Sequence, residues 1–364
     1  MAKIEDRRPR FNHRLNALEA QSEALKIAFG PVVFQCVRLA WKSGLLALLE
    51  DGNLDTKELA GKSGWSDYAT TVLMESCLSA GVVDYDGERY SLGKTGHFVL
   101  NDRMTQVNFD FVHDVCYHGI ADLEQSLREE RPLGLQRLGP WPTLYEGMTQ
   151  LPEPARASWF AFDHYYSDGA FDQILDIVFA RRPKRLLDVG ANTGKWALRC
   201  LAHSPDVELT LVDLPAQLAV ARSAVERAGG EARVRYSPMD LLRGEALPPD
   251  HDAVWMSQFL TCFPVKMVES LFRRAREALA PGGRLFVLDT LWDRQKYEIS
   301  AYCLINTSPY FTTMASGNSR MYRATDYVAA AESAGLLLER VDDDLGVCHS
   351  LLTFKDGARA MKCG

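Results

Sequence analysis

The sequence has no C-x-x-C pair and no clustering of histidine with cysteine, although eight cysteines are scattered along its 364 residues. Zinc and dithiol redox motifs depend on such spacing, so no metal is expected and a thiol-reduced, cytoplasmic setting is the simplest reading. Uninterrupted apolar runs approaching the ~20 residues of a membrane span are also lacking, and no membrane association is expected. The opening MAKIEDRRPRFNHR is charged with no apolar segment after it, so no secretory signal is expected either. Positive charge is not in excess: 41 Lys and Arg face 48 Asp and Glu, a net charge of −7. A nucleic-acid groove needs clustered cations to neutralise phosphates, so nucleic acid is not the expected partner. Internal repeats and low-complexity tracts are missing. What is present is 47% apolar residues, ample for a core, over a length that holds two or three domains.

The most informative stretch is LLDVGANTGKWAL at 186–198. An apolar run ending in Asp188 and Val189 meets the small-residue turn Gly190-Ala191-Asn192-Thr193-Gly194, and a helix-forming segment follows from Lys195. A buried strand feeding a tight turn and a helix N-terminus is how open α/β sheets build a nucleotide site. Glycine lets the backbone approach a ligand closely, and the amides at the helix start attract polar or anionic groups. A dinucleotide fingerprint would need glycines where Asn192 and Lys195 stand. A phosphate-binding P-loop would need a longer gap between its glycines and a Ser or Thr after the lysine, where Trp196 stands.

Ahead of this turn the chain reads as helical. Apolar positions from Ser22 to Glu50 recur at helical spacing, and Pro31 and Gly44 predict two helices there. Thr56 and then Ser66 or Asp67 are candidate caps for two short helices, and Asp86-Gly87 joins Val82–Tyr85 to Arg89–Leu92 as a hairpin. Helix, turn, helix, hairpin is a winged-helix pattern. Its would-be recognition helix, Tyr68–Ala80, has no Lys or Arg and carries Glu75, which disfavours DNA docking. Burial of its apolar faces against a second copy, a homodimer, is the expected use. Residues 96–131 read as helical with a polar-aromatic content: Phe109, Phe111, His113, Cys116, Tyr117 and His118. A Pro/Gly/Trp-rich linker precedes a second aromatic stretch holding Trp159, Phe160, Phe162, His164, Tyr165 and Tyr166. These residues either pack a core or line a pocket, since small-molecule cavities are mostly apolar with a few placed polar groups.

Past the turn, strands and helices alternate as a parallel sheet demands. Glu208–Val212 is a strand ending in Asp213-Leu214-Pro215, and an acid at the end of a second strand suits both hydroxyls of a ribose. Val234–Ser237, Asp252–Met256 and Arg284–Leu288 read as further strands. Leu279 to Gly283 reads as a helix-ending turn. Tyr322–Ala334 reads as a helix, and Leu336–Val341 and Ser350–Lys355 as a closing pair with the last strand antiparallel. Expected boundaries are a helical dimerisation region over 1–105, connecting aromatic helices over 106–180 and a cofactor domain over 181–364.

Together, D188-x-G-x-N-x-G, VDLP at 212–215, PMD at 238–240 and LAPGG at 279–283 resemble the bacterial and plant class I S-adenosylmethionine (SAM) O-methyltransferases with an N-terminal winged-helix dimerisation domain. That resemblance implies a Rossmann-like α/β sheet and SAM as cofactor. It implies that Gly190, Asn192 and Gly194 lie against the methionine part, that Asp213 holds the ribose, that Met239 and Asp240 flank and bond the adenine, and that Asp188 and Leu214 also belong to the cofactor site. Ser257 and Gln258 would sit near the sulfonium, and Ser167 would face the cofactor. Asn192 departs from the family's middle glycine. The region around SWFAFDHYYSD is also similar to methyltransferases associated with aryl-polyene pigments.

The catalytic pattern departs further. Many relatives carry a histidine after the fourth strand to take the acceptor's proton, but here Thr261 occupies that place, followed by Cys262. A threonine hydroxyl is no base near neutral pH. His164, His113 and His118 are the substitute candidates, Cys262 would need activation, and Asp289 resembles an acid that supports the base in relatives. Alternatively, an activated methyl reacts by positioning alone with a phenolate or an activated ring carbon. Residues 298–323 are expected to cover the acceptor, with Tyr302 and Asn306 lining it beside Phe109, His113, Tyr117, His118 and Phe160. The sequence thus predicts a SAM-dependent methyltransferase of secondary metabolism acting on a small aromatic or polyketide-like acceptor, free or carrier-bound. A SAM-binding regulator and an NAD(P) dehydrogenase are the rival readings.

Overall fold

In the computed structural model, residues 7, 11, 14–167 and 169–357 are described, the side chain of Ser167 excepted. They form two compact units, one from residues 14–115 with 157–162, the other mainly from 116–156 with 163–357.

The first unit is helical. Helix α1 (Ala17–Lys42) opens on a capping box in which Asn16 accepts the Glu19 N–H and Glu19 accepts the Asn16 N–H. It runs unbroken through Pro31, where the sequence predicts a break between two helices. A proline costs an interior helix one N–H donor, and here the helix persists past it to bury Val37 and Ala40 in the unit's core. It ends just before Gly44, whose φ of +83° suits glycine. Helices α2 (Thr56–Ser63) and α3 (Asp67–Ser79) follow. Asp55 caps the first, one residue ahead of the expected Thr56, and Ser66 caps the second. Strands β1 (Val83–Tyr85) and β2 (Tyr90–Leu92) pair antiparallel across the Asp86-Gly87 turn. Next come α4 (Lys94–Asn101) and α5 (Arg103–Phe111), separated because Asp102 turns its carboxylate to the Thr105 N–H and caps a new helix. A π-turn at 112–116 follows. The core gathers Leu45, Leu46, Leu59, Met74, Cys77 and Val83. Each such buried aliphatic side chain contributes on the order of 1.5–3 kcal/mol.

The second unit contains short helices α6 (Leu123–Glu129) and α7 (Leu144–Gly147), the last residues of α8 (Ala155–Ser167), and α9 (Phe171–Phe179). There follow β3 (Arg185–Val189), α10 (Lys195–His203), β4 (Glu208–Asp213), α11 (Pro215–Arg227) and β5 (Val234–Pro238). The chain continues through β6 (His251–Ser257), α12 (Val265–Ala278), β7 (Leu279–Asp289), α13 (Glu298–Tyr310), α14 (Ala324–Ser333), β8 (Leu336–Leu345) and β9 (His349–Asp356). The sheet order is β5-β4-β3-β6-β7-β9-β8, parallel except for β9, which runs antiparallel to both neighbours as expected. Leu279 pairs with His251 and opens β7, so the expected Pro-Gly-Gly turn is an irregularity within the span of a strand.

Alternation along each strand serves both faces. Leu187 and Val189 of β3 and Val254 and Met256 of β6 join one cluster with α12 and α14. Leu186, Ala253 and Trp255 join the other, with α9, α10 and α11. A sheet buried on both faces by helices is the two-sided α/β architecture. From β3 the chain moves outward through β4 and β5, then crosses back to β6 on the other side. The order reverses at β3, and such switch points are where open sheets bind ligands, at their carboxyl ends.

Candidate functional site

The turn after β3 is shaped by backbone conformations that few residues tolerate. Gly190 and Gly194 both have φ of +80°. A Cβ on Gly190 would stand 2.9 Å from the Phe259 ring, and one on Gly194 would stand 3.1 Å from the Ala221 Cβ. Asn192 has φ of +47°. Asparagine tolerates this left-handed region better than most side chains, which explains how it replaces a glycine here.

Asp213, at the carboxyl end of β4, binds this turn directly. Its Oδ2 accepts the Asn192 N–H at 2.8 Å and its Oδ1 accepts the Leu214 N–H at 2.7 Å. Burial pushes its pKa up, and the two amides oppose that. Asp188 is different. It is 2% exposed, shares a ladder position with Trp255, and its Oδ2 has no hydrogen-bond partner. Desolvation, reinforced by the charge of Asp213, lifts its pKa to about 8, so at neutral pH it is mostly the neutral acid. Trp196 stacks on Trp255 at 4.0 Å, and both indole N–H groups are buried without a partner.

A pocket opens against these groups. Its walls include Asp188, Gly190, Asn192, Lys195 and Trp196 from the strand, turn and helix, Ser257 and Gln258 from the end of β6, and Asp163 and His164 from α8. Gln258 adopts φ of +47°, donates its N–H to the Leu288 carbonyl and reaches the Tyr166 carbonyl with its amide at 3.5 Å. His164 is exposed, and its Nδ1 lies 2.9 Å from the Lys195 Nζ. Expected site residues therefore converge from three separate segments of the chain. Ser167 closes α8, and its side chain lies outside the described residues.

Met239 and Asp240 follow β5, where the Met239 N–H is held by the Asp213 carbonyl and Asp240 caps the next turn through the Leu242 N–H. The buried Arg274 guanidinium donates to the Leu241 carbonyl at 2.9 Å and touches the Met239 sulfur, shaping this segment from beneath. An orphaned carboxyl, an acid bridging two turns and a glycine cradle that a Cβ would fill fit a nucleoside bearing an amino-acid tail. Lys195 and Asp163 were not singled out from the sequence as site residues. The signal for Asp163 was its place beside His164, and for Lys195 its place immediately after Gly194.

Acceptor-side expectations fare unevenly. Thr261 is buried, and burial pushes the Cys262 thiol up to about 12, away from the activation a base would need. Tyr145, against Cys262, has a fully enclosed hydroxyl, and burial raises its pKa well above the ordinary value. Asp289 is buried with a pKa raised to about 6. Its Oδ2 accepts the Tyr327 hydroxyl at 2.7 Å and its Oδ1 the Thr290 N–H, which ties β7 to α14. Tyr302 is 56% exposed, and the Asn306 amide donates to the Tyr302 carbonyl one turn back, so neither lies at the pocket described. In the first unit, Phe109 stacks on Phe34 at 5.2 Å against the core, His113 approaches Asp114 at 3.9 Å, and Phe160 meets Trp159 edge-on. Tyr117 and His118 make an edge contact with each other.

Comparison with known proteins agrees with this geometry. The family model of the O-methyltransferase domain matches residues 170–337, and that of the Dimerisation2-like domain matches residues 21–90. The chain is 24% identical over 324 residues to the L-tyrosine C(3)-methyltransferase of Streptomyces lavendulae, covering 87% of each chain. It is 26% identical to the N,N-dimethyltransferase OxyT of Streptomyces rimosus, over 83% of this chain and 88% of that one. The solved apo structure of the S-adenosylmethionine-dependent methyltransferase SibL superposes with a TM-score of 0.70 at 24% identity, covering 92% of this chain and 98% of that one. The chain carries an O-methyltransferase domain behind a dimerisation-type domain and is a SAM-dependent methyltransferase.

Proposed function

We propose that this enzyme methylates a small aromatic, phenolic or polyketide-like acceptor at oxygen or at a ring carbon, chiefly by holding the acceptor in line with the methyl group. When bound, SAM supplies an electrophilic methyl on a sulfonium. Asp213 holds the ribose hydroxyls, with Leu214 beside them, and Met239 and Asp240 flank the adenine. Gly190, Asn192 and Gly194 let the backbone lie against the methionyl chain, and Ser257, Gln258 and Ser167 bound the sulfonium end. The observation that carries the reading is Asp213 bridging the glycine turn and the VDLP turn at the sheet's switch point.

The lack of a histidine at Thr261, with Cys262 locked as a thiol, favours acceptors that need little help to lose a proton. Where a proton must be taken, His164 is the imidazole at the pocket, while Asp289 serves as an anchor. The relatives methylate carbon and nitrogen by name, and the family model is one of O-methyltransferases, so the target atom follows the acceptor's pose. The helical unit is read as a winged-helix dimerisation module working in the cytoplasm, its exposed α1 face covered by a second copy, with neither DNA nor a membrane as partner. The domain division expected at residues 105 and 180 is retained within this reading, and an aryl-polyene intermediate, free or carrier-bound, is among the acceptors it admits.

A panel of phenols and hydroxynaphthoates incubated with trideuteriomethyl SAM tests this by mass spectrometry. Label transfer to an aromatic probe is expected. SAH binding with no transfer to any aromatic probe would overturn the acceptor class. In the same assay His164→Ala should lower turnover by roughly 100-fold if His164 is the base, and unchanged turnover would leave the reaction to positioning.

A further inference from the structure

The tail of SAM and of its product is a zwitterion, and the pocket beside Gly190 carries opposite charges on different elements. Asp163 comes from α8 and Lys195 from the first turn of α10. A lysine at that position is locally unfavourable, because a helix N-terminus already bears partial positive charge, and no acidic residue stands in this helix's first turn to offset it. A local rule broken at a pocket is a sign of function. Among the described residues lining the pocket, Lys195 is the lone permanent cation.

Asp213 is assigned to the ribose, and Asp188, on the same pocket wall, is held mostly in its neutral form by burial. We propose that Lys195 binds the carboxylate and Asp163 the ammonium of the cofactor's amino-acid tail, with His164 as a positioning residue that holds Lys195 over the pocket through its Nδ1. The pair Lys195 and His164, 2.9 Å apart, presets the ammonium where a carboxylate joins it, so little side-chain freedom is lost on binding. Charge-assisted hydrogen bonds of this kind are stronger than neutral ones. The inference rests on the SAM assignment above and adds how the tail, as distinct from the nucleoside, is recognised.

Three ligands separate the contributions by calorimetry, without any turnover. They are S-adenosylhomocysteine (SAH), S-adenosyl-3-thiopropylamine, which keeps the ammonium but lacks the carboxylate, and 5′-methylthioadenosine, which lacks the whole tail. Lys195→Met should weaken SAH by about tenfold or more and leave the other two within about twofold. Asp163→Asn should weaken SAH and the amine analogue alike and spare methylthioadenosine. His164→Gln should reproduce the Lys195→Met pattern at smaller size. Equal losses for all three ligands, or no loss for any, would overturn the proposal while leaving the nucleoside assignment standing. Failure of the unaltered enzyme to bind SAH would overturn the cofactor assignment and this proposal with it.

Discussion

The helical unit and the sheet unit solve the burial problem differently. In the sheet unit every central strand is covered on both faces, and side chains such as Leu187, Trp255 and Phe272 are fully enclosed. Beside its pocket the Asp188 oxygen and two indole N–H groups are buried without a hydrogen-bond partner. In the helical unit the conspicuous unfinished surface is the apolar face of α1. Along α1, Leu18 is 75% exposed, Ile27 78%, Phe29 60% and Val32 58%. An 18-residue window of α1 has mean hydropathy 1.3, enough by length and composition to cross a membrane, although Lys26 and polar residues interrupt the helix's apolar runs. Unfinished apolar surface calls for a protein partner, and unfinished polar surface for a ligand. The match of residues 21–90 to a dimerisation-type domain supports the proposal that a second copy covers the first kind of surface.

Three variants probe that contrast. Ile27→Glu combined with Phe29→Glu places charges on the exposed face of α1. Light scattering should show half the mass of the unaltered enzyme, while an unchanged mass would take α1 out of the interface. In the sheet unit, Gly190→Val meets both a φ of +80° and the Phe259 ring, so SAH binding should be lost with the sheet's circular dichroism retained. Retained affinity would show that the cradle is not used.

Asp188→Asn has a smaller effect whose sign depends on pH. The Asp188 pKa rises from the ordinary 3.8 to about 8 on folding, so the folded state holds a proton that the unfolded state releases. Its contribution to stability is fully present below about pH 4 and declines as pH rises towards 8. The variant should therefore gain about 1–3 kcal/mol relative to the parent at pH 8 and little at pH 4, read as the difference in denaturant midpoints. Parallel stability curves across that range would contradict the assignment of a buried, proton-holding carboxyl.

The sheet was legible because its signals are local. Apolar runs ending in Asp188, Asp213 and Ser257 place strand ends within a residue or so, and the left-handed turn advertises itself in Gly190, Asn192 and Gly194. The helical parts were less so. Pro31 reads as a break, but tertiary burial of Val37 and Ala40 carries the helix past it. A capping aspartate, Asp102, divides a stretch whose periodicity is continuous. At the site, Asp163 and Lys195 were obscured because neither belongs to a motif. They meet only when α8 is placed beside the turn after β3, a distance of about thirty positions along the chain that no spacing rule encodes. The pKa of a residue such as Cys262 is likewise set by enclosure, which a sequence does not display.

In the proposed site the carboxylate of Asp213 grips the sugar of a sulfonium nucleoside at the switch point of the sheet. Calorimetric titration of SAH into the unaltered enzyme and into Asp213→Ala tests that grip. Binding to the first and a loss of about 1–3 kcal/mol in the second are expected, with SAH and methylthioadenosine losing equally because both keep the ribose. Equal affinity of the two proteins for SAH would contradict it.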